Sequence, residues 1–104
     1  MFVAMNRFRI NKGHEDAFEE VWRSRDSRLK DVQGFQSFHL LKGAFDEDSQ
    51  TTLYASHTIW ESQEHFSAWT RSEHFRAAHK SARDTTGMYA GPPVFEGFSS
   101  VLAE

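Results

Sequence analysis

The chain has 104 residues, of which 38% are hydrophobic, 14% aromatic and 26% charged, and its formal net charge is −3. This length fits one domain, and the apolar content is too high for a disordered chain. Acidic and basic residues are interspersed, so there is no basic stripe for a nucleic-acid backbone. The absence of cysteine excludes disulfides, thiolate metal ligands and thiol nucleophiles. We therefore expect a single domain over residues 1–104 that does not bind nucleic acid.

The N-terminal apolar run, residues 1–5, is too short for the core of a signal peptide and is followed at once by Asn6 and Arg7. No stretch of the sequence approaches the length that crosses a bilayer. We expect a soluble, cytoplasmic protein that does not associate with a membrane.

Strand and helix patterns follow each other along the first part of the chain. Residues 2–10 alternate with the period of a half-buried strand, and Asn6 falls on the apolar side with Phe2, Ala4, Phe8 and Ile10. Residues 13–30 have helical spacing, with acidic side chains in the first turn. Strands are predicted at 35–42 and 51–60, joined by a hairpin at 46–50.

The second half of the chain contains another helical region and a closing strand. Residues 62–84 have a helical composition, and Ser62 is suited to cap the N-terminus. Ser72 could cap a second helix, so the pattern predicts either one kinked helix or two short ones. A linker at 87–93 leads to a strand at 94–102. The resulting order, β-α-β-β-α-β, is that of the ferredoxin-like α+β fold, with a four-stranded antiparallel sheet and both helices on one face.

The face of this sheet that lies opposite the helices needs a cover. Large side chains, including Val3, Met5, Tyr54 and Trp60, are expected there, and a broad apolar patch is unusual on the surface of a monomer. We therefore expect a homodimer that forms through the sheets.

Several common functional sites have no counterpart in the sequence. The six histidines form no zinc-binding pattern such as H-E-x-x-H. Residues 46–50 are acidic but lack the glycine and the distal glutamate of a calcium loop, so a solvated turn is predicted. No glycine-rich phosphate loop, serine-hydrolase elbow or dinucleotide fingerprint is visible, and we expect no flavin or nicotinamide site.

His79 is the strongest candidate for chemistry in the second helical region. It shares the apolar stripe of that region with Phe75, Ala78 and Ala82. A histidine in such a position is more often a hydrogen-bonded core residue than a ligand. The small alanines nevertheless leave room for a flat group, and a neutral imidazole against an apolar wall commonly ligates heme iron.

Trp69 and Asn6 are the other two candidates. Trp69 precedes His79 by ten residues, so the two side chains could border one pocket, although Trp69 could equally be a core aromatic. Asn6, on the apolar side of its strand, needs a partner for its amide, and that partner is either a protein group or a ligand.

The residues 59–62 (Ile-Trp-Glu-Ser), 66–69 (Phe-Ser-Ala-Trp) and 75–80 (Phe-Arg-Ala-Ala-His-Lys) resemble the IsdG-type heme-degrading monooxygenases of the antibiotic biosynthesis monooxygenase superfamily. The Asn6-Arg7 pair and the Gly34-Phe35 pair also match. The combination of a strand-one Asn-Arg with a tryptophan and a histidine ten residues apart makes the resemblance specific. The 46–50 connection and the 95–98 strand look closer to proteobacterial members than to the staphylococcal type.

The resemblance implies a homodimer in which each subunit binds heme between the second helical region and the sheet. It implies that His79 ligates iron, Asn6 hydrogen-bonds the ligand on the oxygen side and Trp69 presses on the macrocycle, with Phe75 and Ala78 contacting heme. Heme is then both cofactor and substrate, and O2 opens the ring with electrons from an external reductase. The implied products are iron and either a biliverdin-like tetrapyrrole or an oxidised-meso variant.

Two other functions stay open at this point. The same fold also hosts cofactor-independent quinol or polyketide monooxygenases, which would use His79 or His57 as a base. A non-catalytic heme carrier would need the same axial histidine as the enzyme. Arg76, Lys80 and Arg83 lie near the predicted pocket and could hold the heme propionates, although charged residues on a helix usually form its solvated face.

Overall fold

The computed structural model describes residues 1–25, 28–72 and 87–104. Its elements are β1 (Phe2–Asn11), α1 (Glu15–Arg23), a 3-10 helix (Leu29–Asp31), β2 (Phe35–Asp46), β3 (Thr51–Trp60), α2 (Gln63–Thr70) and β4 (Val94–Ser99). The strands form one antiparallel sheet in the order β2-β3-β1-β4. This is the ferredoxin-like order that the sequence predicts. Among the described helices, none has the length and apolar character needed to cross a bilayer.

One face of the sheet, which we call the inner face, carries both helices. Phe8 of β1 lies opposite Tyr54 of β3, and Phe18 of α1 packs against both rings. Trp69 of α2 packs against Trp60 on the same face. The expectation that Tyr54 and Trp60 lie on the uncovered face is therefore wrong, since they are only 1% and 0% exposed. Both sides of β3 are partly apolar, and only its register with β1 decides which side meets the helices.

The opposite face of the sheet, the outer face, has no helix packed on it within the described ranges. Val3 and Met5 lie on it, as the sequence predicts. Leu41, Val94 and Phe98 share this face and are 44%, 58% and 48% exposed. The described part of the outer face thus exposes several large apolar side chains to solvent.

Helix α1 is shorter than the predicted 13–30 because two residues end it early. The Ser24 hydroxyl donates to the carbonyl oxygens of Glu20 at 2.8 Å and Val21 at 3.3 Å, which competes with continued helical bonding. Arg28 then adopts φ = 52°, a left-handed conformation that interrupts an α-helix. Leu29 still reaches the core, but it does so from the 3-10 helix.

Helix α2 begins at the predicted cap. The Ser62 hydroxyl accepts a hydrogen bond from the backbone N–H of His65 at 3.2 Å. The predicted continuation of this helical region, with its kink or second helix after Ser72, lies outside the described residues.

The hairpin at 46–50 is confirmed, but β2 is longer and β4 is shorter than predicted. β2 continues past Lys42 to Asp46 through an irregularity between Lys42 and Phe45. The carboxylate of Asp46 accepts hydrogen bonds from the Asp48 backbone and the Ser49 hydroxyl, which tightens the turn. β4 ends at Ser99 instead of residue 102.

The segment 87–90, predicted as part of a linker, pairs with the end of β1. The backbone N–H of Asn11 donates to the Met88 carbonyl at 2.9 Å, and the N–H of Ala90 donates to the Arg9 carbonyl at 2.9 Å. The Asn11 side chain adds a bond to the Gly87 carbonyl. Met88 is buried as a result, and its side chain becomes part of the core.

Candidate active site

Asn6 lies on the inner face of β1, as its place on the apolar side of the strand predicts. The strand registers put it opposite Ser56 of β3 and Phe95 of β4. Ser56 is buried and Asn6 is half-buried. Asn6 and Ser56 are thus adjacent polar side chains on neighbouring strands, and on β1 Asn6 lies between the apolar Ala4 and Phe8.

The core divides into two groups of side chains, and Asn6 lies between them along β1. The first, which we call the tryptophan cluster, consists of Phe2, Ala4, Leu29, Trp60 and Trp69. The second, the tyrosine cluster, consists of Phe8, Ile10, Phe18, Tyr54 and Met88. Asn6, which the sequence predicts as a site residue, thus lies at the point on β1 where the apolar core is interrupted.

The side-chain amide of Asn6 makes no hydrogen bond to another residue within 1–25, 28–72 and 87–104. An amide that a ligand buries without giving it a hydrogen-bond partner costs about 1–3 kcal/mol, so a ligand that covers the half-buried Asn6 should bond to it. The group is therefore suited to bind a ligand that approaches the inner face.

Trp69 lies at the C-terminal end of α2 and is 9% exposed. Its ring centroid is 5.4 Å from that of Trp60 and 6.1 Å from that of Phe66. Ala4 belongs to the same cluster and is two residues from Asn6, about 7 Å along the strand. Trp69 is thus a core residue that lies in the same region of the inner face as Asn6.

Phe66 and Phe95 extend the aromatic surface beside Asn6. Their rings are stacked, with centroids 5.6 Å apart and planes inclined by 7°. Phe95 is the direct neighbour of Asn6 on β4, yet it is 49% exposed. Neither residue is predicted as part of the site from the sequence, because the register of β4 against β1 is a long-range property. The apolar pattern of β4 was the only local feature of the sequence that pointed to Phe95.

The remaining predicted site residues fall in the range 73–86, outside the described residues: Phe75, Ala78 and His79, and the propionate candidates Arg76, Lys80 and Arg83. Of the predicted site residues, the structure describes Asn6 on the sheet and Trp69 on α2.

His57, the alternative catalytic base, lies on the outer face opposite His39 and Met5. The sheet separates it from Asn6, so these two side chains do not share a site. Within the described part of the chain, no group of three or more His, Asp or Glu side chains is arranged to hold a metal ion.

Two cavities lie between α1, the segment that follows it, and β2. The larger, of about 730 Å³, is lined by Arg25, Arg28 and Lys30 together with Asp31 and the start of β2. The smaller, of about 350 Å³, is lined by residues of α1, β2 and β3. Neither is lined by Asn6 or Trp69. The sequence does not predict this basic lining, because the cavity forms only when the segment after α1 packs against β2.

Arg25 joins this cavity to the aromatic core. Its guanidinium carbon lies 4.3 Å from the centroid of the Trp22 ring. Burial lowers the pKa of Arg25, although an arginine stays charged at neutral pH. Burial also raises the pKa of Tyr89, whose ring packs against Phe8 and Phe18.

Two carboxylates of α1 are bonded to hydroxyls of β3. The Tyr54 hydroxyl donates to Glu19 Oε2 at 2.5 Å, and this bond lowers the pKa of Glu19. Burial, followed by the bond to Glu19, raises the pKa of Tyr54. Thr52 donates to Glu15 Oε2 at 2.9 Å, and the pKa of Glu15 is lowered by its own backbone N–H and by Thr52. These bonds hold α1 on the sheet.

Comparison with known proteins agrees with this architecture. The sequence profile described as "Antibiotic biosynthesis monooxygenase" matches residues 1–81. A relative from Staphylococcus haemolyticus, named "Heme oxygenase (staphylobilin-producing)", is 30% identical over 94 residues, which are 90% of this chain and 86% of the relative.

Solved structures of the heme-degrader MhuD are also similar. MhuD from Mycobacterium tuberculosis with two hemes in its active site is 25% identical, with a TM-score of 0.77, and the match covers 100% of this chain and 99% of MhuD. A point mutant of MhuD with two manganese protoporphyrin IX molecules per active site is 25% identical, with a TM-score of 0.78 and coverage of 100% and 98%. The resemblance to the IsdG type is confirmed, and the chain belongs to the antibiotic biosynthesis monooxygenase family.

Proposed function

We propose that this chain is a heme-degrading monooxygenase that binds heme on the inner face of its sheet. The observation that carries the proposal is the half-buried amide of Asn6, which has no protein partner in the described ranges and lies between two aromatic clusters. Support comes from a curated relative named as a heme oxygenase and from the similarity to the heme-degrader MhuD. The quinol and carrier alternatives have no comparable support.

The described residues fit a flat, largely apolar macrocycle. Phe95, which is 49% exposed, and the partly buried Phe66 offer aromatic surface beside Asn6, while Trp69 and Phe8 belong to the buried core on either side of it. Ligand sites of this kind combine an apolar lining with a few polar groups that fix orientation. Asn6 supplies such a group.

We assign four roles to residues of this chain. His79 would hold the iron through its imidazole, while Phe75 and Ala78 would contact the ring. Asn6 would donate its amide N–H on the oxygen side, and Trp69 would press on the macrocycle. Bound heme supplies the iron chemistry with O2, and the protein contributes ligation, orientation and distortion.

The cations around the larger cavity are candidate partners for the heme carboxylates. Arg25 and Arg28 can each bind a carboxylate through two parallel hydrogen bonds, which a lysine cannot do. This adds described residues to the propionate candidates Arg76, Lys80 and Arg83.

The proposal also includes a homodimer, an external reductase and a cytoplasmic location. The exposed apolar outer face, with Leu41, Val94 and Phe98, is the surface through which two subunits would associate. Sedimentation that gives a 12.0 kDa monomer at micromolar concentration would contradict the dimer. The proposed products are iron and a biliverdin-like tetrapyrrole or its oxidised-meso variant, and the name of the staphylococcal relative indicates staphylobilin.

A hemin titration followed by reduction in air tests the proposal. We expect a Soret band that saturates as the protein binds hemin, and loss of that band with iron release once a reductant is added. A stable Soret band would support a heme carrier instead. The absence of any Soret band would favour the cofactor-independent monooxygenase. Mass spectrometry of the product distinguishes the tetrapyrroles.

The variant His79→Ala identifies the axial ligand in the same assay. We expect an altered heme spectrum and no turnover, because loss of the axial ligand changes both binding and the electronics of iron. His14→Ala, which alters a histidine at the start of α1, is the matched control and should behave as the wild type. A wild-type spectrum and normal degradation in His79→Ala would refute the assignment.

A further inference from the structure

Three phenylalanine rings form a row between α2 and the inner face of the sheet. The ring centroids of Phe2 and Phe66 are 5.4 Å apart, and those of Phe66 and Phe95 are 5.6 Å apart with planes inclined by 7°. Both distances lie within the range of attractive aromatic contacts. Phe95 is also the direct neighbour of Asn6 on β4. The row therefore runs from the tryptophan cluster to the amide that we assign to ligand binding.

The three rings differ in how far they are buried. Phe2 is 5% exposed and Phe66 is partly buried, whereas Phe95 is 49% exposed. Phe66 is stacked on one face of the Phe95 ring, so the exposed area of Phe95 belongs mainly to its other face and its edge. An aromatic ring that is fixed by one stack and open on its other side is suited to contact a flat conjugated ligand.

Gly97 of β4 gives this row of rings the room that it needs. Its φ lies outside the left-handed region, so the backbone there accepts any residue. A Cβ atom at Gly97 would nevertheless lie 2.7 Å from Phe2 Cζ and 3.6 Å from Phe95 Cε2. Non-bonded carbon atoms pack at about 3.5–4.0 Å, so the first of these distances is too short. The two rings, and not the backbone, thus require a glycine, although glycine inside a strand lowers stability.

We propose that Phe95 is a contact residue for the macrocycle and that Gly97 is the residue that positions it. This inference rests on the proposed heme binding and adds to it which part of the sheet recognises the flat ring. Phe95 would stack on the conjugated ring beside Asn6, and Gly97 would keep the phenylalanine row at the depth where this contact forms. The contact involves the ring of the ligand and not its metal, so a metal-free porphyrin should use it as well.

Titrations with hemin, followed by the Soret band, and with metal-free protoporphyrin IX, followed by its fluorescence, test the role of Phe95. We expect Phe95→Ala to weaken the binding of both by about tenfold, because the same aromatic contact is lost in each. Phe95→Tyr keeps the ring and should stay within about twofold of the wild type. Phe45→Ala is the matched control and should keep both affinities, because Phe45 is 41% exposed but lies two strands away from Asn6.

Gly97→Ala tests the positioning without a change in the Phe95 side chain. The added methyl group should displace the rings of Phe2 and Phe95 and weaken the binding of both porphyrins by about threefold or more. Gly91→Ala is the control, because a Cβ there would have no heavy atom of another described residue within 4 Å beyond its chain neighbours. A purely structural role would lower the free energy of unfolding of Gly97→Ala in urea and leave both affinities unchanged, which would refute the positioning.

The remaining outcomes separate this inference from the proposed function. If Phe95→Ala does not fold, Phe95→Leu, which keeps an apolar side chain without a ring, provides the test. Affinities equal to the wild type in these variants, or a loss for hemin alone, would overturn the stacking role of Phe95. If the wild type binds neither porphyrin, this inference and the proposed function both fail. Binding that depends on Phe95, without degradation after reduction in air, would support this inference and refute only the enzyme.

Discussion

The tryptophan and tyrosine clusters lie on the same face of one sheet but satisfy their polar groups in different ways. In the tryptophan cluster, Trp60 Nε1 donates to Thr58 Oγ1 at 2.9 Å, and Thr58 donates to the Ala4 carbonyl at 3.3 Å. All these groups are neutral and buried. In the tyrosine cluster, Tyr54 donates to the carboxylate Glu19 of α1, which remains partly in contact with solvent.

Because of this difference, the hydrogen bonds of the two clusters should respond differently to a change in pH. The hydrogen bonds that join Trp60, Thr58 and Ala4 contain no titratable group, so acid should leave these bonds unchanged. The tyrosine cluster is bonded to α1 through Tyr54 and Glu19, and the neighbouring Thr52 bonds to Glu15. The pKa values of both carboxylates are lowered. Acid should therefore weaken the attachment of α1 first and the surroundings of Trp69 later.

The largest expected effect comes from Phe18→Ala in the tyrosine cluster. Phe18 is 0% exposed and contacts the rings of Phe8, Tyr54 and Tyr89. Loss of a buried phenylalanine lowers the free energy of unfolding by about 3–5 kcal/mol. Urea unfolding of the ligand-free protein measures this loss. A loss below about 1 kcal/mol would show that the cluster does not hold α1 on the sheet.

Asn6→Ala probes the boundary between the two clusters. We expect heme binding to persist. The activation free energy of degradation should rise by about 2.7–4 kcal/mol, as it does when one preorganised hydrogen-bond donor is lost. Single-turnover decay of the Soret band measures the rate. Arg9→Ala, on the outer face of the same strand, is the control and should keep the wild-type rate. Equal rates in both variants would remove Asn6 from the site.

Thr58→Val tests the neutral bonding of the tryptophan cluster. The change keeps the shape of the side chain but leaves the buried indole N–H of Trp60 without its acceptor. We expect a loss of about 1–3 kcal/mol in unfolding free energy, with the same value at neutral and acidic pH. Urea unfolding at several pH values measures it. A loss that grows or shrinks with pH would contradict the separation of the clusters.

Tyr54→Phe tests the charged bonding of the tyrosine cluster and has the smallest expected effect. A carboxylate whose pKa is lowered by folding stabilises the protein above its ordinary pKa, and this stability is lost as the pH falls through the lowered value. For Glu19 the loss lies below its ordinary value of 4.5. Because Tyr54 is the main cause of the shift, the variant should lose less stability than the wild type between about pH 6 and about pH 3. An unchanged pH slope in urea unfolding would contradict this cause.

Local patterns were sufficient to predict the strands, the cap at Ser62 and the position of Asn6. These features depend on alternation along one strand or on one side chain and the next turn. The end of α1 was not predicted, because the helical spacing continues past Ser24 while the hydroxyl bonds and the left-handed Arg28 end the helix. The helical spacing of apolar residues does not indicate where a side-chain hydroxyl competes for the backbone carbonyls of a helix.

Features that depend on register were predicted less well. Tyr54 and Trp60 were expected on the wrong face, because alternation in β3 does not say which side meets the helices. Phe95 was missed for the same reason, since its position beside Asn6 requires the pairing of β4 with β1. The assignments of Phe75, Ala78 and His79 stay predictions.

The irregular path of β2 has a consequence for the behaviour of this protein at high concentration. β2 is an edge strand of twelve residues, and such edges can pair with other molecules and start aggregates. Its register shifts near Phe35 and again between Lys42 and Phe45, so its longest regularly paired stretch is residues 37–42, and pairing resumes only at Phe45 and Asp46. Bends of this kind, with a lysine at the end of the regular stretch, hinder the addition of a further strand. The longest edge of the sheet is thereby a poor template for fibril growth.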